Sequence, residues 1–99
     1  MRIQKTIENG VAVLNITGRL VSTTAADLET AIDSVLDEDN KLILDFSGVE
    51  YMASSGIRIL LLASKKIKAS DGLLILRNVN ADVMYVLEIT GLKDFLDIR

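Results

Sequence analysis

Cysteine and histidine are both missing from this 99-residue chain. Without cysteine there is no disulfide, no thiol catalysis and no thiolate metal site. Without histidine the commonest general base and the commonest transition-metal ligand are gone too. Most hydrolytic triads and zinc chemistries therefore cannot be assembled, and no enzyme activity is expected. Asp45, Glu50 and Asp71 are the only carboxylates near strand ends in the middle of the chain. Unaccompanied by histidine or cysteine, Asp45 reads as an acceptor for a loop or backbone N–H rather than a catalyst.

Aromatics are scarce: Phe46, Tyr51, Tyr85 and Phe95 are the whole set. With a net charge of −3, this argues against the basic, stacking surface of a nucleic-acid module. The longest wholly apolar run, Ile59 to Ala63, is far too short to cross a bilayer. The opening "MRIQKTIENG" lacks the basic-then-apolar layout of a signal peptide. A cytoplasmic chain with no membrane partner is expected. There is no repeat, low-complexity tract or proline-rich linker, and 99 residues supply one modest core. Residues 1–99 are expected to form a single domain.

What is present is an alternation of strand and helix signals. "RIQKTI" and "VAVLNIT" (residues 11–17) read as a hairpin joined through Asn9-Gly10, and Gly18 is expected to end its second strand. Ser22, Thr23 and Thr24 offer capping hydroxyls to a first helix, with Asp27 and Glu29 in its opening turns. Ala25, Leu28, Ile32, Val35 and Leu36 give that helix its apolar face. "KLILDF" (residues 41–46) has no polar face and reads as an interior strand. A second helix is expected from about Ser55 to Lys68, apolar around much of its circumference and so deeply embedded. "GLLILRN" is another apolar strand, Asn80 to Ile89 a third helix closed at Thr90-Gly91, and "DFLDIR" a candidate last strand. The order predicts an α/β fold: a mixed sheet of four to five strands, with helices alternating after the N-terminal hairpin.

Charge is unevenly placed. Residues 27 to 39 hold six acids and no base, whereas Lys65, Lys66 and Lys68 form a compact basic group. Both read first as solvated helix faces, although the acidic stretch can also steer a basic partner.

The segment "DFSGVEYMASSGIRILLLAS" (residues 45–64) puts Ser54-Ser55-Gly56 where a strand runs into a helix. In open sheets, sites gather at such junctions beyond the carboxyl ends of strands. Either serine can cap the helix, but one suffices and the other hydroxyl is spare. Gly56 exposes amides at the helix's positive end, where a phosphate carried on serine is tolerated. Cap and modification site both stand as readings of these residues.

At this point the whole chain resembles the STAS domains, and among them the single-domain bacterial anti-sigma factor antagonists. The resemblance rests on Gly18-Arg19-Leu20, on Asp45 through Met52, on Ser54-Ser55-Gly56-Ile57 and on Thr90-Gly91-Leu92. It implies a protein that binds an anti-sigma factor, typically an ATP-dependent serine kinase, and so frees the sigma factor. Phosphorylation of the first hydroxyl residue ends binding, and a PP2C-type phosphatase restores it. On this chain the acceptor is then Ser54. The partner surface is Arg19, Val21, Ser22, Thr23, Ala53, Ser54, Ser55, Gly56 and Arg58. A monomer that exchanges partners fits best, with no cofactor and no metal. Ala53 and Val21 stand where the family usually has aspartates, and Arg58 where it commonly has a small residue. Fewer carboxylates lower the repulsion toward a phosphate, and Arg58 can pair with one. An aspartate can also orient the acceptor for a kinase. A STAS adaptor that is never phosphorylated, docking on the ATPase of a lipid-transporting ABC system, is the alternative that the missing aspartates favour.

Overall fold

The computed structural model describes every residue from Met1 to Arg99. Five strands pair in the order in which they occur: β1 (Arg2–Glu8), β2 (Val11–Leu20), β3 (Lys41–Met52), β4 (Leu73–Arg77) and β5 (Asp97–Ile98). β1 runs antiparallel to β2, and the remaining pairs are parallel. The connections are α1 (Ser22–Leu36), α2 (Ser54–Ala69), and α3 (Ala81–Ile89) with a short 3-10 turn at Leu92–Phe95. Right-handed crossovers that all step in one direction place all their helices on one face of the sheet. Side chains from all three helices accordingly share a core with Leu14, Ile16, Leu42, Leu44, Phe46 and Leu76.

The hairpin forms as expected. Asn9 and Gly10 have φ of 52° and 80°, the pair of positive values that a type I′ turn demands. Gly18 does not end β2. With φ of 106° it sits at a register shift against β3, and the strand continues to Leu20. A side chain there would be strained, so glycine permits a bulge where sequence reasoning placed a stop. β3 likewise runs six residues beyond Phe46: it carries the extra residue at both register shifts and keeps pairing with β2 as far as Met52.

α2 is less embedded than its composition suggests. Its buried residues are Gly56, Ile59, Leu60, Ala63, Ser64 and Ile67, whereas Leu62 is 37% exposed. A sheet with helices on one side only leaves the outer flank of each helix in water. α1 buries Ala25, Leu28, Ile32 and Val35, and Lys66 of α2 pairs with Asp33 across the gap between the two helices. The basic group and the acidic stretch are thus partly joined. The C-terminal tail supplies a two-residue strand, Asp97 and Ile98, after the 3-10 turn.

On the opposite face of the sheet, Asn15, Asp45 and Arg77 lie in register across β2, β3 and β4. Asp45 is buried and accepts hydrogen bonds from the Ser47 amide (2.9 Å), Arg77 Nε (2.9 Å) and Asn78 Nδ2 (3.0 Å). Arg77 also reaches Glu8 at the end of β1, and the two carboxylates raise its pKa. The sequence expectation of a hydrogen-bond acceptor therefore holds for Asp45, with an ion pair added.

Burial alone raises the Asp45 pKa, but the hydrogen bonds from Ser47, Arg77 and Asn78 outweigh it and hold the carboxyl below its ordinary value. A depressed carboxylate stabilises the fold above the unfolded-state value of about 3.9, and that contribution disappears as pH falls through the folded value. Urea unfolding should therefore show a loss of stability on acidification below about pH 4 that is smaller in Asp45→Asn. Equal acid sensitivity in the two chains would remove Asp45 as its source.

Candidate functional site

Two helices begin side by side at the carboxyl ends of β2 and β3. The Ala53 amide donates to the Leu20 carbonyl at 2.9 Å, and this bond ties the two junctions together. Val21 is the N-cap of α1 and Ala53 that of α2, and neither has a side chain able to accept an amide hydrogen. Their carbonyls take the next amides in line: Thr24 (3.0 Å) and Ala25 (2.7 Å) on Val21, Gly56 (3.0 Å) and Ile57 (3.3 Å) on Ala53. The amides of Ser22, Thr23, Ser54 and Ser55 are thereby left pointing out of two adjacent positive helix ends.

This arrangement removes the capping reading of the serines. Neither Ser54 nor Ser55 is the cap, since the helix starts one residue earlier than expected and the cap falls on Ala53. Ser54 is exposed at the first helical position. The Ser55 hydroxyl is buried without a hydrogen-bond partner. The expected caps of α1 are displaced in the same way. Ser22 and Thr23 are exposed in its first turn, and Thr24 accepts from the Val21 amide (2.9 Å) while donating to the Arg19 carbonyl (2.8 Å). Asp27 and Glu29 fall after the first turn, which contains no acid.

The structure brings most of the expected partner residues onto this one rim. Ser22, Thr23, Ser54 and Arg58 are exposed, and Val21, Ala53 and Ser55 are half-buried. Arg19 is exposed, and its guanidinium lies 4.9 Å from the centre of the Tyr51 ring. Gly56 is buried, so it shapes the junction and offers no surface of its own. A Cβ there would lie 2.7 Å from Met52 Cγ and 2.8 Å from Leu20 Cδ2. Glycine is what lets α2 start this close to the sheet.

The STAS domain profile matches residues 2–99. The chain belongs to the STAS family. Over 63 residues it is 48% identical to the anti-sigma-F factor antagonist RsfB of Mycobacterium tuberculosis, a stretch covering 63% of this chain and 52% of that protein. The chain thus spans about half the length of this mycobacterial relative. It is 31% identical over 91 residues to the anti-sigma-B factor antagonist of Bacillus subtilis, covering 92% of this chain and 83% of that one. A solved anti-sigma factor antagonist from Mycobacterium paratuberculosis superposes with a TM-score of 0.87 at 26% identity, covering 98% of this chain and 83% of that one.

Sequence reasoning missed one feature beside the STAS rim. Glu50, Tyr51 and Met52 line a groove of about 290 Å³ together with Asp82, Val83 and Val86 of α3. Asn80 holds α3 in place there, accepting from the Val83 amide and donating to the Val49 carbonyl, both at 2.8 Å. With β3 expected to stop at residue 46, nothing in the sequence pattern set residues 50–52 against α3. No helix is long and apolar enough to cross a membrane.

Proposed function

We propose that this STAS chain is an anti-sigma factor antagonist, a binding protein rather than an enzyme, switched by phosphorylation of Ser54. The observation that carries this reading is the Ser54 hydroxyl itself: exposed, relieved of any capping duty, and central on a rim shared by two helix starts. The named relatives supply the partner class, an anti-sigma factor. In the bare state the rim formed by Arg19, Val21, Ser22, Thr23, Ala53, Ser55 and Arg58 docks the partner, with Ser54 at its centre. Phosphorylation adds nearly two negative charges and three strong acceptors there. The outward amides and the absence of acids in both first turns tolerate that charge within the fold. A partner surface packed on the rim does not, because it must desolvate the dianion. The anti-sigma factor would itself be the serine kinase, a PP2C-type phosphatase would reset the switch, and the chain would act as a cytoplasmic monomer.

The test begins with the anti-sigma factor isolated by co-purification and identified by mass spectrometry. With ATP it should add one phosphate to the wild-type chain and none to Ser54→Ala. Calorimetric affinity should drop about 100-fold or more on phosphorylation, corresponding to about 2.7 kcal/mol. Equal affinity of the bare and phosphorylated chains would end the proposal.

A further inference from the structure

Two arginines stand on the rim, and the structure separates their roles. Arg19 is engaged with the Tyr51 ring. Arg58 is exposed on α2 and takes part in none of the five ion pairs of the molecule. It lies four residues after Ser54, so the two side chains occupy one face of the helix, one turn apart. Side chains in an α-helix lean toward its N-terminus, over the residues three and four positions earlier. For Arg58 those residues are Ser55 and Ser54.

Building on the reading of Ser54 as the modified residue, we infer that Arg58 is a built-in phosphate clamp, pairing with a phosphate on Ser54 of its own chain. A planar guanidinium grips phosphate oxygens through paired N–H bonds that a neutral side chain cannot match. The outward amides of Ser54 and Ser55 close the same oxygens from the helix end, and the buried Ser55 hydroxyl is one more unused donor in that turn. The other charged groups on the elements meeting here are Arg19 on β2, Lys41, Asp45 and Glu50 on β3, Asp27, Glu29 and Asp33 on α1, and Lys65, Lys66 and Lys68 near the far end of α2. Of these, Glu50 lines the groove toward α3, and Asp27 lies beyond the first turn of α1. No carboxylate of either first turn competes for Arg58. The phosphorylated state is then held folded back along α2 and partly neutralised in cis. A phosphatase must open this pair before it can act.

Site-specific incorporation of phosphoserine at position 54 tests the clamp without any kinase. Phosphorus NMR titration reads the second ionisation of the phosphate, ordinarily near pH 6. A guanidinium at contact distance favours the dianion, so the wild-type value should lie about half a unit or more below that of Arg58→Gln. Arg58→Lys should keep part of the difference, and the helix amides should contribute equally in all three chains. Alkaline phosphatase should release phosphate several-fold faster from Arg58→Gln than from wild type. Arg58 is exposed and unpaired, so unmodified Arg58→Gln should melt with wild type, and Arg58→Ala provides a second neutral variant. Coincident titration curves for wild type and both neutral variants would overturn the clamp while leaving Ser54 free to be the switch. A kinase that ignores Ser54 would overturn the switch while leaving the clamp measurable.

Discussion

A Gly56→Val chain is expected to lose about 3 kcal/mol of stability, the upper range for forcing methyl groups into a filled core. The first atom added already lies 2.7 Å from Met52 and 2.8 Å from two atoms of Leu20. Met52 can flex, but Leu20 is fully buried on β2, the strand whose carbonyl anchors Ala53. Valine's two further carbons must therefore lift the first turn of α2 away from the sheet. Gly56→Ala should cost less, because the helix propensity gained, about 1 kcal/mol, offsets part of the clash. Gly10→Ala makes a useful contrast: nothing lies within 4 Å of its Cβ position, so only the backbone strain of about 1 kcal/mol remains. Urea unfolding of the three chains should rank them in that way. A wild-type midpoint for Gly56→Val would show that α2 does not need its close approach. Because Ser54 rides on the same turn, Gly56→Val should also weaken partner binding even where the chain is still folded.

Phe46→Ala is expected to cost more, about 4 kcal/mol. Phe46 is 1% exposed and is the only aromatic among the 22 residues of the core cluster. The rest of that cluster is mostly branched aliphatics on strands and helices held by their own backbone hydrogen bonds, so the cavity collapses little. Domains of this size are stable by about 5–15 kcal/mol, so the variant retains little margin. Its melting temperature should fall by roughly 15–30 °C. Phe95→Ala should change melting far less, since that ring is 53% exposed and lies outside the core cluster, with Lys68 Nζ 5.3 Å from its centre. Similar melting of the two alanine variants would mean that Phe46 is not the central packing residue of the sheet.

Much of the architecture was written in short-range patterns. Asn9-Gly10 specified a type I′ hairpin because few other dipeptides accept two positive φ values. The spacing of Ala25, Leu28, Ile32 and Val35 specified the buried face of α1, and the apolar runs specified parallel strands covered by helices. Element ends were less legible. Gly18 and Gly48 carry the signature of turns, yet both lie inside long strands, paired through or beside a bulge. A Cβ on Gly48 would meet Thr17 at 2.4 Å, so this glycine serves the approach of a neighbouring strand. Nothing in its flanking sequence records that neighbour.

Legible along the chain were the element order, the hairpin, the absence of histidine and thiol chemistry, and the Ser54-Ser55-Gly56 junction on which the family resemblance partly rests. Those properties depend on local backbone preferences, on composition, or on a few adjacent residues. The folded molecule alone reveals that Ala53 rather than a serine caps α2, and that α1 and α2 start side by side. It alone left Arg58 without a partner while Arg19 stacks on Tyr51. Each of these outcomes is set by which groups meet across strands, and pairing between distant residues leaves no periodic trace along the chain.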